Sequence, residues 1–210
     1  MPLIYSANTA LCVRFALWKI EETENALFQG IRLSVQDQEA ILSLRLEKRR
    51  LERIACRRAL GFLLNTNDLN ITYGFSGEPL CDVGHISFSH SGNYAAAAVS
   101  QTGPVGIDIE KITPKILELH HKFVSDKERE HIDLQDPKAI TRIWCAKEAI
   151  YKMFPEKSLN FIEDIEIFPT HQATLRHSVG SNTIHLFTHE IEELMIVVAN
   201  FCVGNSIRTI

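Results

Sequence analysis

Two carboxylates stand two residues apart in the segment Gly106-Ile107-Asp108-Ile109-Glu110. Ile107 and Ile109, which alternate with the carboxylates, are β-branched and predict a strand, and alternate residues of a strand point to the same face. Asp108 and Glu110 would then lie side by side while the two isoleucines enter the core. A hard divalent cation such as Mg²⁺ binds carboxylate oxygens and relieves their mutual repulsion. By itself the segment also fits a solvent-facing strand end.

A second group of charged residues lies in the segment Trp144–Lys152, with the sequence WCAKEAIYK. Helical spacing places Trp144, Glu148 and Lys152 on one face, with Lys147 one position to the side. One interpretation is an exposed Glu-Lys pair that contributes little to stability. The other is a metal-assisted phosphoryl-type transfer, in which carboxylates bind the ion and ammonium groups stabilise the leaving charge.

A third candidate is the strand-to-turn segment Ser87-Phe88-Ser89-His90-Ser91-Gly92. Its small hydroxyls, imidazole and glycine allow donors to approach a phosphate group closely, with Ser89 and His90 as the main candidates. A polar turn without a ligand is the alternative. A Ser-His hydrolase is a weaker match, because the chain has no G-x-S-x-G motif.

The elements that must position these residues follow from periodicity and from turn and capping residues. Ser125 with Glu128 predicts a capping box, and Asp136 before Pro137 predicts an N-cap and first-turn pair. Helices are predicted over 34–44, 46–64 and 136–154, and strands over 11–18, 85–89, 94–100, 105–110, 164–168, 173–176, 183–188 and 195–203. Helices followed by strands occur in each half of the chain. This order predicts an α+β fold of two similar lobes of about 100 residues each, 1–104 and 105–210.

The predicted helix 46–64 is amphipathic and basic. Its segment Arg45–Arg58 holds seven Lys or Arg residues and only two Glu. Apolar residues at three- and four-residue spacing, among them Ile54, Ala59 and Phe62, predict a buried stripe. The basic face is either an anion site or a solvated helix surface.

Composition limits the class of protein. The chain has 210 residues, of which 45% are hydrophobic and 23% charged, and its formal net charge is −4. This balance predicts a globular protein with no general affinity for nucleic acid or anionic membrane. Five widely spaced cysteines without a C-x-x-C pair indicate reduced thiols, and no window approaches the ~18 apolar residues of a membrane span. A cytoplasmic protein is expected.

Taken together, the three segments resemble the 4′-phosphopantetheinyl transferases, and in particular the two-lobed Sfp-type enzymes. The G-I-D-I-E and W-x-x-K-E-A-x-x-K motifs are intact at 106–110 and 144–152, and S-H-S stands at 89–91. The resemblance implies two pseudo-symmetric α/β lobes. It also implies transfer of the 4′-phosphopantetheine arm of coenzyme A to a serine of an apo acyl or peptidyl carrier protein, by a monomer that uses Mg²⁺ or Mn²⁺.

The resemblance also implies residue roles. Asp108, Glu110 and Glu148 would hold the metal, and Glu148 would take the proton from the incoming serine. Lys152 would donate a proton to the leaving group. The expected coenzyme A contacts are Ser89, His90, Lys147, Lys152, Arg49, Arg50 and Arg53. Arg57 and Arg58 are expected at the surface or between the lobes.

One position departs from the family pattern. The family commonly has Gly-Lys-Pro where this chain has Gly77-Glu78-Pro79. In the family that lysine helps to hold a coenzyme A phosphate. A carboxylate there would be unfavourable, so either Glu78 points away or an arginine of the basic helix takes the role of the lysine. Two other functions remain open: a non-catalytic module that binds coenzyme A or a carrier protein, and a metal-dependent phosphohydrolase that uses water as the nucleophile.

Overall fold

The computed structural model describes residues 2–9, 12–154, 158–170, 172–177 and 180–201, without the side chains of residues 176, 177, 180 and 181. The chain divides into two compact units, residues 1–103 and 104–210. Each unit combines helices with an antiparallel sheet, so the predicted α+β class is confirmed.

The N-terminal unit contains a six-stranded sheet and a separate pair of short strands. Its described strands are β1 (Leu3–Asn8), β2 (Val13–Lys19), β3 (Arg32–Leu33), β4 (Asp68–Leu69), β5 (Ile71–Tyr73), β6 (Pro79–Cys81), β7 (Gly84–Ser91) and β8 (Tyr94–Ser100), and its helices are α1 (Glu24–Phe28), α2 (Val35–Leu42) and α3 (Glu47–Leu64). The sheet has the order β1-β2-β8-β7-β6-β5, and neighbouring strands are antiparallel. The short strands β3 and β4 form a separate parallel pair.

Helix α3 packs its apolar stripe on strands β2 and β8. Ala59 and Leu60 are fully buried there, against Ala16 of β2 and Ala97 of β8. Small residues on both surfaces let the helix lie close to the sheet. Phe62 was predicted in the same stripe, but its side chain is 46% exposed.

The C-terminal unit is built on a five-stranded sheet. Its described strands are β9 (Val105–Lys111), β10 (Ile165–Ile167), β11 (Gln172–His177), β12 (Gly180–Ile191) and β13 (Leu194–Phe201), and its α-helices are α4 (Asp126–Arg129) and α5 (Pro137–Lys152). The sheet has the order β10-β11-β12-β13-β9, with all pairs antiparallel. Two short 3₁₀ helices cover 114–118 and 120–122.

Helix α5 packs across this sheet and forms the core of the unit with it. Asp136 caps the helix by accepting a hydrogen bond from the Lys138 backbone amide, and Pro137 fills the first turn, as the sequence predicted. Ile143, Ala146 and Ile150 are buried in the cluster of side chains that the helix shares with β13. The helix ends at Lys152, two residues before the predicted end.

Several sequence-based boundaries change. Strand β1 was not predicted, and β12 spans 180–191 rather than 183–188. Leu11, Cys202 and Val203, which the strand and thiol predictions include, lie outside the described residues. The four cysteines that the structure describes are free thiols. Among the described residues, the helices are too short or too polar to span a bilayer.

Candidate functional site

The two carboxylates of the G-I-D-I-E segment lie on one face of β9. Asp108 pairs with Val197 and Glu110 with Met195 on the neighbouring strand β13. Val197 and Met195 belong to the core cluster that includes α5, so the shared face is the one that this helix covers. Ile107 and Ile109 are fully buried on the opposite face. The predicted alternation of carboxylates and isoleucines is therefore present.

Gly106 lets helix α5 cross β9 at close range. A Cβ atom on residue 106 would lie 2.7 Å from the carbonyl carbon of Ala149 and 3.2 Å from its Cα. Real Cβ atoms do not approach backbone atoms so closely, so a side chain at this position would force the helix away. The glycine of the first motif and the alanine of the second thus set the distance between the two charged groups.

Three α5 side chains meet the carboxylates of β9: Cys145, Glu148 and Lys152. Burial raises the pKa of Glu148, and the negative charges of Asp108 and Glu110 raise it further. Burial also raises the pKa of the Cys145 thiol well above its usual value, as do Asp108 and Glu110. The negative charges of Asp108 and Glu110 therefore act on Glu148 across the crossing of β9 and α5. A thiol kept neutral in this way is a buried apolar group rather than a nucleophile.

Lys152 supplies the positive charge closest to Asp108. Its Nζ atom donates to Asp108 Oδ1 at 2.7 Å and to the carbonyl oxygen of Ile107 at 2.9 Å. The lysine side chain is 28% exposed and the aspartate side chain 8% exposed. The ion pair is thus partly shielded from solvent, and it links the end of α5 to the middle of β9.

The donor chemistry at β9 and α5 fits a divalent cation. Asp108, Glu110 and Glu148 offer the carboxylate oxygens that Mg²⁺ or Mn²⁺ prefers. Among the described residues, however, no group of three or more His, Cys, Asp or Glu side chains has the geometry to hold a metal ion. The residue types fit the ion, whereas the side-chain positions must change for all three carboxylates to bind it.

Lys147 lies in the interior, away from the carboxylates of β9. Its side chain has no exposed surface, and Nζ donates to Glu128 Oε2 at 2.8 Å and to the carbonyl oxygens of Phe161 and Ile165 at 2.6 and 2.9 Å. Burial lowers the pKa of Lys147, and Glu128 partly offsets that shift. All three ammonium protons are used within the fold, so no donor remains for a coenzyme A phosphate.

Glu128 is an important residue that the sequence analysis treated only as part of a capping box. The predicted box with Ser125 is present, and Ser125 N donates to Glu128 Oε2 at 2.8 Å. The other carboxylate oxygen accepts from the backbone amide of Ile167 in β10 at 2.9 Å. Glu128 therefore holds together α4, β10 and, through Lys147, helix α5. The capping signal was visible in the sequence, but the contact with Lys147 was not.

In the N-terminal unit, Ser89 and His90 lie near the end of β7 beside helix α3. Ser89 is buried, and His90 Nδ1 lies 3.6 Å from Glu52 Oε2. Arg49 Nη1 donates to the same oxygen at 2.9 Å. The buried carboxylate of Glu52 thus brings together His90 and Arg49, two of the predicted coenzyme A residues. Sequence reasoning did not single out Glu52.

The other arginines of α3 have different surroundings. Arg50 is bound bidentately by Glu24 at 2.8 and 2.9 Å, whereas Arg53 is exposed. Arg57 was expected at the surface or between the lobes, and the surface position is wrong, because its side chain is 1% exposed. It donates to both carboxylate oxygens of Asp37 and lies 4.6 Å over the ring of Phe88. Burial and this pairing make Arg57 a structural residue of the N-terminal unit.

Arg58 is partly buried and donates to the carbonyl oxygens of Leu27 and Gln29. It therefore fastens α3 to the end of α1. Of the predicted arginine candidates, Arg49 and Arg53 have the most exposed side chains, which leaves them the most accessible to an anion.

Glu78 turns back onto its own loop. Its Oε2 accepts a hydrogen bond from the backbone amide of Ser76 at 3.0 Å, and its carbonyl accepts from Gly74 N at 2.9 Å. The left-handed conformation of Gly77, with φ 80°, completes the turn. The carboxylate thus has a local structural partner at the position where the resembling family has a lysine.

Comparison with known proteins agrees with the motif positions. The model of the 4′-phosphopantetheinyl transferase superfamily matches residues 104–202. That range contains β9 and α5, and so includes Asp108, Glu110, Glu148 and Lys152.

Three curated relatives match this chain at 31–32% identity. A candidate 4′-phosphopantetheinyl transferase of Synechocystis sp. (slr0495) is 32% identical over 56% of this chain and 50% of its own length. The 4′-phosphopantetheinyl transferase HetI of Nostoc sp. is 31% identical over 55% and 52%, respectively. A 4′-phosphopantetheinyl transferase of Bacillus subtilis is 32% identical over 38% and 37%. The chain thus spans about half, or less, of the length of these relatives. The chain is therefore similar to the 4′-phosphopantetheinyl transferase superfamily over residues 104–202, most of its C-terminal unit.

Proposed function

We propose that the protein transfers the 4′-phosphopantetheine arm of coenzyme A to a serine of an apo acyl or peptidyl carrier protein. The observation that carries this proposal is the close crossing of β9 and α5 at Gly106 and Ala149. That crossing brings Asp108 and Glu110 next to Glu148 and Lys152. Names of the relatives support the same activity. The intact motifs support an Sfp-type enzyme, and we expect it to act as a monomer in the cytoplasm.

The proposed reaction moves one phosphoryl-linked group. The serine oxygen of the carrier bonds to the pyrophosphate phosphorus that carries the pantetheine arm. The bond from that phosphorus to the bridging oxygen breaks, and adenosine 3′,5′-bisphosphate leaves. A divalent ion held by Asp108, Glu110 and Glu148 would supply positive charge to the pyrophosphate oxygens.

The protein's own residues handle the proton and the leaving charge. Glu148 accepts the proton of the serine hydroxyl, as a carboxylate that α5 places beside Asp108 and Glu110. Lys152 stabilises the departing bisphosphate and donates a proton to it. Lys147, whose donors are all used inside the fold, maintains the position of α5 instead of binding phosphate.

The N-terminal unit would contribute the coenzyme A contacts. Ser89 and His90 bind phosphate groups, and Arg49 is the best-placed arginine of α3, because Glu52 holds its guanidinium near His90. Arg53 is the second candidate, since it is exposed on the same helix. Arg50 is the weakest of the three, because Glu24 already neutralises it bidentately.

The test is mass spectrometry of apo carrier proteins after incubation with the enzyme, coenzyme A and Mg²⁺. We expect a mass increase equal to one phosphopantetheine group on the carrier serine, and none without Mg²⁺. Coenzyme A breakdown without a carrier would indicate the phosphohydrolase instead. Binding of coenzyme A without either reaction would indicate a non-catalytic module.

A further inference from the structure

The ammonium of Lys152 binds one carboxylate oxygen of Asp108, a residue that the proposed function assigns to the metal ion. It contacts Asp108 Oδ1 at 2.7 Å, and a second hydrogen bond to the Ile107 carbonyl, at 2.9 Å, fixes its position. Because Ile107 is fully buried and Asp108 nearly so, neither acceptor has much access to water. The lysine is thus the internal counter-ion of a cluster of carboxylates.

The charges around Lys152 agree with this description. Three negative charges lie where β9 and α5 cross, on Asp108, Glu110 and Glu148. Asp108 and Glu110 raise the pKa of Glu148, whereas the Lys152 ammonium lowers it. The described carboxylates nevertheless do not converge on a ready-made metal site. An ammonium at Asp108 explains this arrangement, since it removes the need for the oxygens to share one cation.

We propose that Lys152 and a divalent cation compete for Asp108, so that cation binding releases the lysine from β9. The inference rests on the metal site of the proposed function and adds an order of events to it. Once displaced, the ammonium at the end of α5 is free to contact the leaving bisphosphate. Lys152 would therefore be delivered to its reaction role only after the cation is bound.

The test is the affinity for Mn²⁺ alone, measured by electron paramagnetic resonance without coenzyme A. Lys152→Met removes the competing ammonium, and we expect it to bind Mn²⁺ roughly three- to tenfold more tightly than the wild type. Lys111→Met is the matched control. Lys111 lies on β9, the strand of Asp108, but its ammonium pairs with Glu193. This variant should change the affinity less than about twofold.

Each outcome bears on a different claim. Equal or weaker Mn²⁺ binding by Lys152→Met would overturn the competition, as would an equal gain in Lys111→Met, which would indicate a general effect of charge. Asp108→Ala tests the proposed function separately. If this variant binds Mn²⁺ as tightly as the wild type, the metal site itself is wrong.

A second measurement follows Lys152 in the wild-type protein itself, and a variant is needed only to assign its signal. In ¹H–¹⁵N spectra of lysine ammonium groups, a hydrogen-bonded Lys152 should give a resolved signal, which the Lys152→Met spectrum identifies by its absence. Addition of Mg²⁺ should shift or abolish that signal while the signal of the Lys111 ammonium stays in place. An unchanged Lys152 signal at saturating Mg²⁺ would overturn the inference.

Discussion

Gly106 and Ala149 are in contact at the crossing of β9 and α5, and a Cβ atom on residue 106 would lie 2.7 Å from the carbonyl carbon of Ala149. Each residue belongs to one of the two charged motifs. Their contact therefore decides how far Asp108 and Glu110 lie from Glu148 and Lys152, although neither residue carries a functional group.

Gly106→Ala should damage both stability and transfer. The added methyl group meets helix backbone that cannot rotate away, and overpacking of this kind costs about 1–3 kcal/mol of the free energy of unfolding. Gly74→Ala is a suitable control, because the atoms nearest to its added methyl belong to the flexible Glu78 side chain. Urea denaturation of both variants checks the difference. Equal stability would show that α5 adapts to the side chain.

Asp108→Ala, Glu110→Ala and Glu148→Ala should each abolish transfer and leave the protein folded. Removal of Glu110 or Glu148 relieves repulsion between carboxylates, and removal of Asp108 leaves Lys152 with partial access to solvent, so the fold should persist. Glu193→Ala removes an exposed carboxylate from the turn between β12 and β13 and should leave transfer unchanged. The carrier mass assay and circular dichroism together check this expectation. Wild-type transfer by any two of the three variants would contradict the metal assignment.

Lys147→Met should cost about 3–5 kcal/mol of the free energy of unfolding, because it leaves Glu128 buried without a counter-ion. Lys138→Met removes an exposed ammonium from the same helix and should leave stability nearly unchanged. Urea denaturation, monitored by tryptophan fluorescence, measures the free energy of unfolding of both variants. A folded Lys147→Met protein of normal stability with weakened coenzyme A binding would restore the phosphate role that the sequence suggested.

The difference between Lys147 and Lys152 shows what the sequence could predict. The α+β class, the main elements and the common face of Asp108 and Glu110 follow from local periodicity. Successive residues of a helix differ by about 100° in direction, so Lys147 and Glu148 cannot both face β9. Which of the two faces the strand depends on partners distant in sequence, such as Glu128 and Ile165, which a local pattern does not contain.

Arg57 was misplaced for a related reason. Residues at four-residue steps share a helix face only approximately, because each step rotates by about 40°. Two steps from Arg49 bring Arg57 round to a different environment, where Asp37 and Phe88 enclose it. A single polar residue in α2 thus decides between an exposed and a buried arginine. The helix sequence alone could not reveal that partner.

Lys152→Ala should lower kcat more than the affinity for coenzyme A, whereas His90→Ala should mainly weaken that affinity. Lys152 acts where leaving-group charge develops, so its contribution grows in the transition state. A phosphate contact by His90 acts equally on bound substrate and transition state. Steady-state kinetics with both variants distinguish the two roles, and the opposite pattern would show that they are reversed.

If the phosphate site reaches this turn, Glu78→Lys should tighten coenzyme A binding slightly, by roughly 0.5 to 1 kcal/mol, because an ammonium would replace a carboxylate there. Glu78→Gln is the matched variant, since its amide oxygen can still accept the Ser76 hydrogen bond while the charge is removed. Calorimetry at low salt with coenzyme A and with dephospho-coenzyme A measures the gain for each ligand. A gain for coenzyme A alone would place the side chain at the 3′-phosphate.

If the affinity for neither ligand changes, Glu78 serves only its own turn and the arginines of α3 hold the phosphate. If the Lys variant binds both ligands more tightly by the same factor, the residue acts on the pyrophosphate or on the general field.

The shared use of Glu128 has a consequence for how the C-terminal unit opens. Helix α4 has only four residues and would not persist alone. Its capping box, the Ile167 amide and the Lys147 ammonium all depend on one carboxylate. When the Glu128 side chain moves away, the Ser125 amide, the Ile167 amide and the Lys147 ammonium lose this acceptor together. The amide protons of Ser125 and Ile167 should therefore exchange with solvent deuterium at the same free energy of opening, although 42 positions separate them in the sequence.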